Sequence, residues 1–268
     1  MPGDRGVDVV LEDGVAHLVL AKPPVNAFDD VFLEAISDAV LGLPEAEVRA
    51  LVVSSSVERV FAAGGDIPWM ASAPLSDQLA FVERCQATYS LFEEVAYPTI
   101  AAIEGAALGG GFELSLACDL RVVGPGAVLG APEATIGLIA GAGGITRLVR
   151  AVGRGVAHDL LLTGRRVSAE EALRMNIVSR LVGAGEAVQV ALELARRLAD
   201  GPCEAIFATK RLAVVASEGS IADGLARERE AWARVRVSAR TQEGLDAFAQ
   251  KRRPDFRAVA QPAAASDA

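Results

Sequence analysis

The stretch from residue 101 to residue 144 constrains the fold of this chain more than any other part of it. It contains two glycine clusters, at 109–111 (GGG) and at 141–144 (GAGG), which bracket the two acidic residues Glu113 and Glu133 in apolar surroundings. Consecutive glycines allow a backbone to approach a ligand closely. The stretch therefore predicts a ligand site built from backbone, with carboxylates beside it.

The residues that follow the first glycine cluster predict a buried helix. Residues 112–118 are mostly apolar and contain neither Gly nor Pro, so the free N–H groups of the helix start would face a bound anion. Glu113 lies in the first turn of this helix. It either complements the helix dipole or, with Phe112 and Leu114 beside it, acts as a partly buried acid or base with a shifted pKa.

The order of the predicted elements indicates an α/β fold. Short strands paired with helices fill the first two-thirds of the chain in a recurring strand–strand–helix rhythm, and residues 186–237 read as helices alone. The short run 61–67 (FAAGGDI) follows a buried strand, and its paired glycines again permit close backbone approach. Residues 68–75 are interpreted as an irregular apolar loop.

Composition and charge exclude several classes of function. A net charge of −9 argues against nucleic-acid binding, which normally needs a basic face. Three widely spaced cysteines without a CxxC pair, and two histidines outside any HExxH pattern, argue against disulfides and a metal site. A GxGxxG dinucleotide fingerprint is absent too. With no apolar run of membrane-spanning length and no leader, we expect a cytoplasmic protein with no membrane partner.

Several motifs, taken together and in order, resemble those of the crotonase (enoyl-CoA hydratase/isomerase) superfamily, and enoyl-CoA hydratase most of all. The matching segments are FAAGGDI at 61–67, EGAALGGGFELSLACDLRV at 104–122, GAPEATIGLIAGAGGITRLVRAVG at 130–153, TGRRVSAEEALRMNIVSRLV at 163–182 and EGLDAFAQKRRPDF at 243–256. The resemblance covers nearly the whole chain.

The resemblance implies a fold and an assembly. It implies an α/β crotonase-like spiral of ββα turns over residues 1–200, which carries the acyl-CoA site, and a C-terminal helical trimerisation region over 201–258. Residues 259–268 are predicted to be a disordered tail. We therefore expect a homotrimer or homohexamer.

The resemblance also implies a coenzyme A thioester as substrate, with coenzyme A as part of the substrate and no separate cofactor. Its carbonyl oxygen would be held by the backbone N–H groups of Gly65 and Gly110, which form an oxyanion hole. The residues around the first donor are expected to contact the substrate, and they are Ala63, Gly64, Asp66 and Ile67. Lys251 is expected to reach the phosphates of the coenzyme across a subunit boundary.

Glu113 and Glu133 match the two glutamates that hold water in enoyl-CoA hydratases. The expected reaction is therefore the hydration of a 2-enoyl-CoA in fatty acid metabolism, by a lyase in which one carboxylate activates water and the other supplies a proton. The alternatives are a Δ3-Δ2 enoyl-CoA isomerase, since such enzymes often keep one glutamate, and a non-catalytic acyl-CoA-binding protein. The identity of the acyl chain stays open, because Ala140 and the segment 23–28 (PPVNAF) differ from the residues common at these positions in hydratases.

The acyl tail is expected to contact the apolar segment that follows the first oxyanion donor. Its members Trp69, Met70 and Leu75 would line the pocket. A core role for Trp69 is the alternative.

Overall fold

The computed structural model describes residues 5–216 and 219–259. Its strands are β1 (Val7–Glu12), β2 (Val15–Leu20), β3 (Ala50–Ser55), β4 (Val60–Ala62), β5 (Thr99–Ile103), β6 (Ala106–Leu108), β7 (Leu120–Val123), β8 (Val128–Gly130), β9 (Val167–Ser168) and β10 (Arg180–Leu181). Its helices are α1 (Asp30–Leu41), α2 (Ile67–Ser72), α3 (Leu75–Glu94), α4 (Gly110–Ala117), α5 (Gly144–Thr163), α6 (Ala169–Arg174), α7 (Ala187–Ala199), α8 (Cys203–Ala216), α9 (Ile221–Arg236) and α10 (Ala239–Ala249). A 3-10 turn spans Pro132–Ile136.

The strands form two sheets. The larger sheet has the order β1-β2-β3-β5-β7-β10, and the smaller sheet has the order β4-β6-β8-β9. Only the terminal pairs β1–β2 and β8–β9 are antiparallel, and the other neighbours run parallel. Parallel neighbours need a long crossover between them. Helix α1 supplies it between β2 and β3, and for the pairs β3–β5 and β5–β7 it passes through a strand of the smaller sheet and helical structure.

The chain repeats one unit three times. In each turn a strand of the larger sheet (β3, β5, β7) is followed by a strand of the smaller sheet (β4, β6, β8), and then by helical structure (α2 and α3, α4, the 3-10 turn and α5). This is the predicted spiral of ββα turns. The C-terminal helices α8 to α10 follow it, as the sequence predicted, although the exact boundary between the two regions stays a prediction.

Helix α4 lies in the centre of the molecule. Every residue from 111 to 117 is buried, which explains why the segment is apolar on all sides rather than along one stripe. The opposite face of the larger sheet is covered by α7, whose Ala187, Ala191 and Ala195 pack on Ala50 and Val52. These small side chains let the helix approach the sheet closely.

One local prediction was wrong: residues 68–75 are not an irregular loop. Residues 67–72 form helix α2, because the Asp66 carboxylate accepts a hydrogen bond from the Trp69 N–H at 3.1 Å and Pro68 stands in the first turn. Both are helix-start features. Helix α3 then begins at Leu75.

A glycine interrupts the long helix that follows the second glycine cluster. In helix α5, Gly153 has a φ of 77° and a ψ of 163°, which are not helical. Helix α6 is capped by Ser168, whose hydroxyl accepts from the Glu171 N–H at 3.2 Å. The predicted tail lies outside the described residues from position 260 onward.

Among the residues that are described, no helix has the length and hydropathy to cross a bilayer.

Candidate active site

The predicted site residues meet at one edge of the smaller sheet. Strands β4, β6 and β8 are parallel neighbours, so their carboxyl ends lie side by side. Gly65 follows the first of these strands, Gly110 the second and Glu133 the third. Segments 23 and 45 residues apart in the chain can meet in this way because each ββα turn returns a strand to the same sheet. Ligands of open α/β sheets bind at this edge.

The two glycine segments approach each other at backbone contact. Gly64 has a φ of +96°, and a Cβ added there would lie 3.2 Å from the Gly110 nitrogen and 3.4 Å from the Leu108 carbonyl oxygen. In the described part of the chain, neither the Gly65 nor the Gly110 N–H donates to a protein acceptor. Two free donors therefore lie in adjacent segments, one of them at the positive end of α4.

Glu113 is buried in the first turn of α4, with 3% of its surface exposed. Its Oε1 accepts two backbone hydrogen bonds, from the Ala142 N–H at 2.8 Å and the Gly144 N–H at 2.9 Å. Burial raises the pKa of Glu113 from 4.5 to about 7, and the charge of Glu133 adds to that rise. The two N–H bonds oppose it but do not cancel it, since burial penalises the ionised form more strongly.

Glu133 stands at the start of the 3-10 turn, directly after Pro132. Its Oε1 leans over the first glycine cluster, where a Cβ added to Gly109 would lie 3.0 Å away. Its Oε2 is buried and has no hydrogen-bond partner among the described residues. Burial raises the pKa of this carboxyl group too. An unpartnered carboxyl oxygen facing a ligand site is available for a proton or for water.

Arg147 secures the loop that holds Glu113. Its Nη1 donates to the Ala142 carbonyl at 3.1 Å, while its Nε and Nη2 donate to Glu93 Oε2 at 2.9 Å and 2.5 Å. This ion pair ties the second glycine cluster to α3, and the Arg147 charge lowers the pKa of Glu113. The site thus contains a positive charge behind the buried carboxylate.

The remaining predicted residues lie near the oxyanion donors with one exception. Ala63 is exposed and donates to the Val25 carbonyl at 3.0 Å, Asp66 caps α2, and Ile67 begins that helix with its side chain exposed. A Cβ on Gly65 would lie 2.6 Å from Met70 Cε, so Met70 packs against Gly65. Lys251 lies on the surface just after α10, and no contact among the described residues joins it to the others.

The apolar segment over the site splits into buried and exposed parts. Trp69 is half-buried and packs on Phe81, with ring centroids 5.4 Å apart. Leu75, at the start of α3, is largely exposed. The contact with Phe81 gives Trp69 a packing role, while Met70 is the member that reaches Gly65.

Sequence reasoning missed three residues that act on this site: Ala142, Gly144 and Arg147. They stand inside the segment 130–153, but no local pattern shows that their N–H groups and charge turn toward a glutamate some 30 residues earlier. Among the described residues, no three His, Cys, Asp or Glu side chains come together as a metal site, and the three cysteines are buried free thiols.

Two backbone donors beside two carboxyl groups of raised pKa form an arrangement suited to proton transfer next to a carbonyl group. The donors can stabilise negative charge on an oxygen, and carboxyl groups of raised pKa can both accept and release protons.

Comparison with known proteins gives one consistent picture. The family model described as enoyl-CoA hydratase/isomerase matches residues 11–259. A probable mitochondrial enoyl-CoA hydratase 2 of Arabidopsis thaliana is 37% identical over 245 residues, which are 91% of this chain and 81% of that protein. A probable enoyl-CoA hydratase of Mycobacterium leprae is 36% identical, over 93% of this chain and 98% of that protein. The crystal structure of an enoyl-CoA hydratase from Bacillus anthracis superimposes with a TM-score of 0.90 at 32% identity, covering 95% of this chain and all of that one.

Proposed function

Because this chain belongs to the enoyl-CoA hydratase/isomerase family, we propose that it is a lyase that adds water reversibly, with syn geometry, to a 2-enoyl-CoA thioester and gives a 3-hydroxyacyl-CoA. Coenzyme A enters as part of the substrate, and the proposed reaction needs no further cofactor. The observation that carries this proposal is the pair Glu113 and Glu133, two carboxyl groups of raised pKa beside free backbone donors.

In the proposed reaction the thioester carbonyl oxygen accepts from the Gly65 and Gly110 N–H groups. When the water oxygen bonds to the β carbon, electrons move to that carbonyl oxygen, and the two donors stabilise the enolate. Each such donor is worth about 3 kcal/mol in a dry site. The positive end of α4 adds to this stabilisation.

The two carboxyl groups divide the proton transfers. One, ionised, takes a proton from the attacking water, and the other, protonated, delivers a proton to the α carbon. Both groups titrate above the usual range of glutamate because they are buried, so the pair can hold one proton and one charge near neutral pH. Loss of either carboxyl group removes one of the two transfers.

The experiment is hydration of crotonyl-CoA, followed as loss of the absorbance of its conjugated double bond. A hydratase removes the absorbance. An isomerase instead generates it from a 3-enoyl-CoA, and a non-catalytic binding protein changes neither solution. Absence of any hydration across enoyl-CoA esters of increasing length would refute the proposal.

Assembly into a homotrimer or homohexamer is part of the proposal. Exposed apolar side chains on the C-terminal helices support it: Trp232 is 69% exposed and Phe248 is 86% exposed. Apolar residues that form an exposed patch mark interaction sites, including subunit interfaces. A monomeric mass in light scattering at micromolar concentration would contradict the assembly. The cytoplasmic location also stays a prediction, and the Arabidopsis relative is named as a mitochondrial protein.

A further inference from the structure

The hydroxyl group of Tyr89 is buried and is not satisfied by any described residue. Tyr89 has no exposed surface, and its Oη makes no hydrogen bond of good geometry within the described part of the chain. The Cys85 thiol, one helical turn away, is its hydrogen-bonding neighbour and shifts its pKa, but it does not reach good hydrogen-bond geometry. Leaving a hydroxyl in this state costs stability, and its replacement by an apolar group of the same shape would avoid that cost. A phenylalanine would fit the same space.

The position of this hydroxyl is fixed against the start of α4. A Cβ added to Gly110 would lie 2.9 Å from Tyr89 Oη and 3.2 Å from the ring of Phe28. Phe28 in turn packs edge-on against the Tyr89 ring, with centroids 5.5 Å apart. The tyrosine therefore cannot swing away, and its hydroxyl points at the residue that carries the second oxyanion donor.

Glu113 lies on the same face of α4 as Gly110, three residues further along. Side chains of a helix lean toward its N-terminus, so the Glu113 carboxyl group leans toward the turn that the hydroxyl faces. Its Oε1 is occupied by the two backbone N–H groups, whereas its Oε2 accepts no hydrogen bond from the described residues. An unused donor and an unused acceptor thus face the same turn across the α3–α4 contact, close enough for the charge of Glu113 to raise the pKa of Tyr89.

We infer that Tyr89 is a positioning residue for Glu113: when substrate occupies the site, the Tyr89 hydroxyl donates to Glu113 Oε2 and makes Glu113 the ionised member of the pair. The single proton of the pair then sits on Glu133, ready for the α carbon. Hydrogen bonds of this kind are often long in an unliganded site and tighten when substrate binds. The inference rests on the proposed hydration for its catalytic meaning, but the bond itself can be tested without turnover.

The pKa of Glu113 depends on the charged and titratable groups that face it from each neighbouring element. They are Glu133 on the 3-10 turn, Arg147 on α5, and Cys85 and Tyr89 on α3. The Cys85 pKa is raised to about 12 and the Tyr89 pKa lies well above 10, because both groups are buried. Both stay neutral throughout the working range. Only Glu133 titrates alongside Glu113.

The test compares wild type with Tyr89→Phe, which removes the hydroxyl and keeps the ring. Tyr97→Phe is the control, because it changes the only other tyrosine, also buried, away from the site. With the saturated thioester butyryl-CoA bound, the infrared carboxyl band of Glu113, assigned through Glu113→Gln, is titrated. Loss of one hydrogen bond to a charged group should raise the pKa of Glu113 by about one to two units in Tyr89→Phe.

The acid limb of the pH profile of kcat, which reports the substrate-bound enzyme, should move upward by the same amount, while stability stays equal or rises. Identical Glu113 titrations in wild type and Tyr89→Phe would overturn the inference, as would equal shifts in Tyr97→Phe. If wild type hydrates no thioester, the proposed function is refuted, and the infrared titration still shows whether Tyr89 donates a hydrogen bond to Glu113.

Discussion

Burial of Glu113 should make the protein less stable as pH rises through neutrality. A carboxyl group whose pKa is raised on folding binds its proton more tightly in the folded state, so its contribution is favourable below the unfolded value and is lost as pH rises through the folded value. For Glu113 these values are 4.5 and about 7. At about 1.4 kcal/mol per pKa unit, the loss amounts to about 3 kcal/mol.

Glu113→Gln should remove this dependence. The amide oxygen can still accept from the Ala142 and Gly144 N–H groups, and near pH 5 an amide and a protonated carboxyl group are similar in charge and shape. Relative to wild type, the variant should therefore gain about 2.5 kcal/mol in unfolding free energy between pH 5 and pH 8.5, since part of the change already falls below pH 5. Urea unfolding, followed by circular dichroism at fixed protein concentration, measures the difference.

The control for this measurement is Glu94→Gln, at the exposed end of α3. It should follow wild type at both pH values. Parallel curves for wild type and Glu113→Gln would refute the reasoning, because they would mean that Glu113 titrates alike in the folded and unfolded chain.

Three further predictions concern the surroundings of the glutamates. Gly110→Ala should lower turnover about 100-fold and destabilise the fold by about 1–3 kcal/mol, because its Cβ would meet Tyr89 and Phe28. Gly155→Ala is the control: its Cβ would enter open space, so the same kinetic and unfolding assays should show neither change. Arg147→Met removes a charge that lowers the Glu113 pKa, so the pH–rate profile should show a larger loss of turnover at pH 6 than at pH 8; a uniform loss at both values would contradict this. Trp69→Ala should alter the preference among acyl chain lengths more than the rate on the shortest substrate, and an unchanged preference would remove Trp69 from the acyl pocket.

Much of the fold could be predicted from local pattern. The β1–β2 hairpin, the amphipathic α1 and the apolar α4 follow from alternation, periodicity and glycine positions, and the structure has all three. Helix α2 was missed because six residues carry too little periodicity to reveal a helix. Its cap at Asp66 and its Pro68 were the available signals.

The site was predictable in its parts but not in its connections. Gly65, Gly110, Glu113 and Glu133 all came from motifs, and the structure brings them to one sheet edge. The hydrogen-bond donors to Glu113 could not be predicted from motifs. Ala142 and Gly144 lie 29 and 31 residues away in the chain and reach Glu113 only because the ββα spiral returns to it. The unpartnered Tyr89 hydroxyl depends on the packing of α3 against α4, and no sequence pattern records an empty hydrogen-bond position.

The most direct test of the central claim is the rate of crotonyl-CoA hydration by Glu113→Gln and Glu133→Gln, measured beside binding of butyryl-CoA. Each variant should lose at least about 100-fold in turnover, because each lacks one proton transfer, while thioester affinity changes far less. The double variant should be little worse than the poorer single one, because the two groups act as a unit. Hydration within a few-fold of wild type by either single variant would contradict the account.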